Sequence, residues 1–84
     1  MSLAQTRKRL YLLACIEAGR CARYGDGCDY VDVGHKVTQA VAKMQRHGWV
    51  ELEDGPGWKR PWRLTELGAA VLAERKKRDE RGGT

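Results

Sequence analysis

Hydrophobic and polar positions along the chain follow helical spacing in three segments and strand-like spacing between them. The first segment predicts a helix over residues 3–18, with a capping box from Ser2 and Gln5 at its start and Gly19 at its end. The apolar face of this helix is expected to contain Leu3, Leu10, Leu12, Leu13, Ala14 and Ile16. The next segment is rich in glycine and aspartate. It predicts two short extended pieces, 20–24 and 28–33, joined by a tight turn at YGDG.

A second helix is predicted from His35 or Lys36 to His47, followed by Gly48 where a left-handed C-cap is needed. Its inward stripe is expected to contain Val37, Ala40, Val41 and Met44. The segments WVELE, DGPG and WKRPWRL then predict a strand, a turn and a returning strand. Because Pro61 has no amide hydrogen to donate, the returning strand is expected at a sheet edge or with a local irregularity.

The last helix is predicted to begin after Thr65, which is a good N-cap residue. Leu67, Ala70 and Val71 are expected to face the core, which leaves Ala69 and Leu72 outside that stripe. From about Arg75 the chain is dominated by charged residues, and this pattern predicts a fraying, solvated end.

The order of these elements describes a winged helix-turn-helix, and two stretches carry a closer resemblance. VTQAVAKMQRHGWVEL resembles the recognition helix and first wing strand of bacterial winged-helix regulators, including the MarR and PadR types. WRLTELGAAVL resembles the end of their wing and the L-T-x-x-G start of the following helix. The resemblance implies an α+β fold over residues 1–78, with a three-helix core and a two-stranded wing, and a flexible tail at 79–84. It departs from the families at CDYVDVGHK, where a short turn or the preceding hairpin is expected in place of their second helix.

Composition and charge narrow the class of partner. The 84 residues make one domain with a net charge of +5, and the basic residues are segregated from the acidic ones. Residues 33–50 contain no acidic residue at all. If the apolar stripe of the second helix faces the core, its opposite surface carries polar and cationic groups and no carboxylate. Such a surface suits a DNA major groove, where a carboxylate would oppose the phosphates.

The resemblance and this charge pattern together predict binding of double-stranded DNA and transcriptional regulation. Thr38 and Gln39 are expected to contact base edges, and Lys43 and Arg46 are expected to contact phosphates. Arg46 could also form hydrogen bonds with a guanine edge. By resemblance, the wing cations are expected on the backbone or in the minor groove. The predicted DNA-binding residues are Lys36, Thr38, Gln39, Lys43, Arg46, Lys59, Arg60 and Arg63.

Alternatives remain open for each of these groups. The helix face could simply be a solvated basic surface, or it could bind an acidic protein partner in an interaction module. Lys59 and Arg63 could pair with Glu51 or Glu53 across the ribbon. Trp49 and Trp62 are expected to pack the ribbon against the helices, whereas Trp58 is a candidate for exposure and base stacking.

Partners and cofactors follow from the same patterns. A homodimer is expected because one recognition helix contacts few base pairs, and Ala69 and Leu72 make the last helix the expected dimer element. No enzymatic activity, cofactor or small-molecule ligand is expected, since the sequence shows no nucleophile–base pair, phosphate loop or carboxylate pair in a recognisable setting. Cys21, Cys28 and His35 fall at intervals of seven, which leaves zinc as an alternative, although structural zinc sites usually use closer pairs.

The location of the chain in the cell is judged from two features. No apolar run approaches the roughly 20 residues that a membrane-spanning helix needs. The N-terminal segment has a basic part and a short apolar part, but no small-residue cleavage site follows. We therefore expect this segment to be structural and the chain to be cytoplasmic.

Overall fold

A computed structural model describes residues 3–32 and 34–82 of the chain, with side chains up to Lys77. The helices of this part are α1 (Arg7–Glu17), α2 (Thr38–Arg46) and α3 (Glu66–Gly82). The strands are β1 (Cys21–Tyr24), β2 (Asp29–Val31), β3 (His35–Lys36), β4 (Val50–Leu52) and β5 (Lys59–Leu64). Within these ranges, none of the helices combines the length and the apolar character that crossing a bilayer requires.

The strands form an antiparallel sheet in the order β3-β2-β1-β5-β4. The hairpin predicted after α1 is confirmed, since Cys21 pairs with Val31 and Gly27 takes a positive φ of 82° in the turn. Pairing of Ala22 with Pro61 joins this hairpin to the β4–β5 ribbon. The α+β class predicted from the sequence is therefore confirmed.

The sequence missed strand β3, because His35 and Lys36 were expected to start the second helix. Both residues instead pair with β2. The Val37 N–H donates to the Asp29 carbonyl oxygen at 2.8 Å and holds this segment extended, so α2 begins only at Thr38. Val33, at the end of the second extended piece, lies outside the described residues.

The core lies between the helices and one face of the sheet. It is built from residues that are almost wholly buried: Leu12, Leu13 and Ile16 of α1, Val41 and Met44 of α2, and Cys21, Val31, Val50 and Trp62 of the sheet. Trp49 is buried as well, which confirms the packing role predicted for Trp49 and Trp62.

Helix α1 differs from its prediction at the start and on one face. It begins at Arg7, where the Thr6 hydroxyl oxygen accepts the Arg9 N–H at 3.2 Å, so Thr6 takes the capping role expected of Ser2 and Gln5. Ser2 itself lies outside the described residues. Ala14 was expected in the core but is exposed, because the side chains at positions 12 and 13 and at 15 and 16 fill the buried face.

Helix α3 is capped by Thr65 as predicted, but it presents a different face to the core. Leu67 is 52% exposed and Ala70 is exposed, whereas Leu72 is only 5% exposed. The inward face therefore contains Gly68, Val71 and Leu72, and the expectation that Leu72 lies outside the core is wrong. The helical backbone continues past Arg75 to Gly82, and the last two residues of the expected tail lie outside the described part.

Close approach of backbone to backbone explains this orientation of α3. The Thr65 N–H donates to the Trp49 carbonyl oxygen at 3.0 Å, and the Thr65 hydroxyl oxygen accepts the Gly68 N–H at 3.1 Å. The Thr65 hydroxyl also donates to the Gly48 carbonyl oxygen. A Cβ on Gly68 would lie 1.9 Å from the Trp49 oxygen, so no larger residue fits there without movement. This contact is the physical reason for a glycine at position 68.

Pro61 lies in β5, which runs between β1 and β4, so the expected edge position is wrong and the expected irregularity is present. The β4–β5 ladder ends at the pair Leu52–Trp62, so Pro61, the residue that precedes Trp62, has no paired residue in β4. The Glu53 N–H donates to the Pro61 carbonyl oxygen at 2.9 Å, but Pro61 cannot return that bond. The Arg60 Nε–H donates to the Glu53 carbonyl oxygen at 3.1 Å instead, which satisfies the acceptor.

Candidate nucleic-acid interface

Helix α2 is divided sharply into a buried and an exposed side. Val41 and Met44 have no exposed area, and Val37 and Ala40 are half-buried beside them. The helix ends at Arg46 with His47 as its C-cap. Gly48 then takes a φ of 78°, and the Trp49 N–H donates back to the Met44 carbonyl oxygen at 3.0 Å. This is the left-handed C-cap that the sequence predicts. The buried stripe and the cap together fix which side of α2 faces solvent.

The solvent side of α2 forms a cationic surface without carboxylates. Gln39, Lys43 and Arg46 are exposed and Ala42 is half-buried between them. We refer to these four residues as the α2 surface. They line a shallow groove of about 620 Å³ together with Thr38 and His47. Within the described part of the chain, neither Lys43 nor Arg46 takes part in an ion pair or a side-chain hydrogen bond. Both cations are therefore available to an anionic partner.

Thr38, which is predicted to contact base edges, forms a hydrogen bond within the protein. Its side chain is half-buried, and its hydroxyl oxygen accepts the Asp29 N–H at 2.9 Å. The hydroxyl therefore ties the start of α2 to strand β2. Thr38 also lines the groove over the α2 surface, so its predicted base contact stays a prediction beside this positioning bond.

Asp29 links α2 to both halves of the sheet. Its side chain has no exposed area and accepts the Trp62 Nε1–H at 2.7 Å. It also accepts the Arg23 Nε–H at 3.1 Å, and the Arg23 guanidinium lies 5.2 Å from the centre of the Trp62 ring. A buried carboxylate is tolerated when its oxygens are paired and hydrogen-bonded in this way. The Asp29 main chain also accepts the Val37 N–H and donates to the Thr38 hydroxyl oxygen. These two hydrogen bonds then set the position of α2 against the β4–β5 ribbon.

The cations of the β4–β5 ribbon are mostly engaged within the ribbon. Arg63 donates to the Glu51 carboxylate at 2.5 Å and lies 3.8 Å from that of Glu53. Thus the alternative that Arg63 pairs across the ribbon is what the structure shows. Arg60 bonds the Glu53 main chain and lies 3.5 Å from the Asp54 carboxylate. Lys59 is exposed and forms no such pair among the described residues.

Two further exposed side chains, Trp58 and Lys36, lie outside the α2 surface. Trp58 is 67% exposed at the tip of the ribbon, next to Lys59, as the sequence predicts. Lys36 is also exposed, but it lies on strand β3 rather than in the first turn of a helix. It lines a second groove with Lys8 of α1, adjacent to the start of α2.

The zinc alternative gains no support from the arrangement of the possible ligands. Cys21 is buried in β1, Cys28 is half-buried before β2, and His35 is exposed on β3. Burial raises the pKa of the Cys21 thiol to about 12, with smaller contributions from Asp29 and Cys15. No three potential ligand side chains in residues 3–32 and 34–77 are arranged to hold a metal ion.

Two residues of this candidate site, Asp29 and Lys8, are absent from the residues predicted to bind DNA. Asp29 could have been found from the alternation in β2, because it shares a face with the buried Val31 and is therefore an inward-facing acid. Lys8 belongs to the basic cluster Arg7-Lys8-Arg9, whose residues could contact a nucleic-acid backbone or simply face solvent. The sequence does not choose among the three, because that choice depends on how α1 packs against α2. No protein-family model matches the chain, and no curated protein or solved structure resembles it significantly. The chemistry of the α2 surface is therefore the basis for assigning a function.

Proposed function

We propose that this protein binds double-stranded DNA as a small winged-helix regulator, with α2 in the major groove. The observation that carries the proposal is the α2 surface itself. It combines one amide side chain and two unpaired cations with the complete absence of carboxylates among its described residues. Gln39 offers a donor and an acceptor suited to an adenine edge, and Arg46 offers a fork suited to a guanine. Lys43 suits a phosphate.

The order of elements supports a winged-helix fold. The β4–β5 ribbon directly follows α2, β1 pairs with β5 on its other side, and α3 closes the chain against Trp49. Along the chain, the hairpin and β3 come between α1 and α2, where the resemblance leads us to expect the second helix of those regulators. Asp29, on that hairpin, supplies the contacts that hold the recognition helix in position.

A comparison of the DNA affinities of charge variants tests the proposal. Lys43→Ala and Arg46→Ala should each weaken binding to duplex DNA, because each removes an unpaired cation from the proposed interface. If Arg46 contacts a guanine, Arg46→Ala should cost about 1–3 kcal/mol of discrimination at that base pair. Lys43→Ala should instead weaken binding to all sequences and reduce the salt dependence. Fluorescence anisotropy with labelled duplexes, measured across a range of salt concentrations, provides both quantities.

The matched control is Lys77→Ala, which removes one exposed cation from α3 and leaves α2 intact. Equal affinities for the wild type, Lys43→Ala and Arg46→Ala would refute the assignment of α2. If wild-type protein does not bind random duplex at micromolar concentration and low salt, the same cationic surface is better explained by an acidic protein partner.

Selection of bound sites from random duplex DNA addresses specificity and stoichiometry together. One recognition helix contacts few base pairs, so we propose that two copies act on one site. A recovered palindrome would support a homodimer. Since Leu72 is buried, any dimer contact through α3 would have to use its exposed side, which carries Leu67, Ala69 and Ala70.

A further inference from the structure

The distribution of free cations raises the question of which groups contact the DNA backbone on either side of α2. A helix in the major groove lies between two phosphate strands, and both are expected to be contacted. The β4–β5 ribbon lies on one side, but Arg60 and Arg63 are already engaged with carboxylates of the ribbon. The start of α2 is bordered by Lys36 of β3 and Lys8 of α1.

A cationic channel lies at the start of α2. Lys8 and Lys36 line a groove of about 330 Å³ together with the first residues of α2. We refer to it as the Lys8–Lys36 channel. It shares Thr38 and Gln39 with the groove over the α2 surface, so the two grooves are adjacent. None of the described residues that line either groove is acidic.

Among the three neighbouring cations of α1, only Lys8 reaches this channel. Arg7 lines a different groove with Leu72 and Lys76. Arg9 donates from its guanidinium to the Ala4 carbonyl oxygen at 2.9 Å and is half-buried. Lys8 is exposed and forms no ion pair within the described residues.

Asp26, the acidic residue that interacts electrostatically with Lys36, is hydrogen-bonded to other groups. Asp26 accepts the Tyr30 hydroxyl at 2.7 Å and the Cys28 N–H at 3.0 Å. These two hydrogen bonds are the main reasons that the pKa of Asp26 lies below its usual value, and Lys36 is the smallest contributor. Lys36 is exposed and forms no ion pair with Asp26 within the described residues.

We propose that the Lys8–Lys36 channel binds the phosphate backbone of one strand of the same duplex whose major groove receives α2. This inference rests on the proposed function. It assigns the backbone contacts on the α1 side to Lys8 and Lys36, with Lys59 as the unpaired cation of the ribbon on the opposite side. The duplex would then be contacted by three parts of the protein: the ribbon, α2 and the Lys8–Lys36 channel.

The salt dependence of binding by the full chain tests this placement. Each lysine–phosphate contact contributes about 0.9 to the slope of log affinity against log salt, which is roughly eightfold for a tenfold change in salt. For Lys8→Ala and for Lys36→Ala, the ratio of affinities for a random duplex at low and at tenfold higher salt should fall by that factor. The matched control is Arg7→Ala, on the same helix with the same change in charge, and its ratio should equal that of the wild type.

The outcomes separate this inference from the proposed function. If Lys43→Ala and Arg46→Ala weaken binding but Lys8→Ala and Lys36→Ala keep the wild-type slope, the channel is wrong and the α2 assignment stands. If Arg7→Ala lowers the slope as much as Lys8→Ala, the effect is one of net charge and the channel is wrong. If none of the four variants on α2 and the channel alters binding, both proposals fail. Circular dichroism of each variant confirms that it folds.

Discussion

Replacing Gly68 with alanine tests the contact that sets the orientation of α3. The new Cβ would lie 1.9 Å from the Trp49 carbonyl oxygen, so the start of α3 must move by about 1.5 Å to reach an ordinary contact of 3.4 Å. Overpacking of this kind costs about 1–3 kcal/mol, and the hydrogen bond from Thr65 to Trp49 would be lost at a cost of about 1 kcal/mol. The higher helix propensity of alanine returns at most about 1 kcal/mol.

The net expectation is a loss of about 2 kcal/mol in the free energy of unfolding. For a domain of this size, that loss corresponds to a fall in Tm of roughly 8–16 °C. Thermal and urea unfolding followed by far-ultraviolet circular dichroism would measure both. Gly57→Ala is the control, because no heavy atom lies within 4 Å of its added Cβ, and its stability should change by less than about 0.5 kcal/mol. Helix propensity alone predicts the opposite sign for Gly68→Ala. A variant as stable as the wild type would refute the close contact.

Two other predictions concern buried groups. Trp62→Phe removes the donor that bonds the buried Asp29 carboxylate at 2.7 Å, and should cost about 1.5–3 kcal/mol in urea unfolding, whereas Trp58→Phe at an exposed position should be nearly neutral. Because burial raises the pKa of Cys21 to about 12, its thiol should resist an aryl-disulfide reagent at pH 8 until the protein unfolds, while the half-buried Cys28 should react in the native state. The stability linked to the Cys21 thiol is intact below its unfolded pKa of about 9.0 and is lost as the pH rises towards 12. Rapid labelling of Cys21 in the native protein at pH 8 would contradict its burial.

Local sequence determined the elements and the division of α2 into two sides. The stripe of Val41 and Met44 has helical spacing and Gly48 supplies a positive φ, so the helix, its end and its cationic face follow from properties of a single segment. The hairpin after α1 and the ribbon after α2 are equally local, because glycine-containing turns join strands that are close in sequence.

Tertiary structure alone decided which side chains are free and how α3 is turned. Periodicity defines a stripe relative to the axis of one helix, but the close approach of Gly68 to Trp49 chose a different stripe from the one that local hydrophobicity favoured. The Thr38 hydroxyl, which the sequence left free, accepts the Asp29 N–H. For Arg63 the sequence left open both DNA contact and pairing across the ribbon, and the fold pairs it with Glu51 and Glu53. Such pairings depend on distances between segments, which local pattern does not encode.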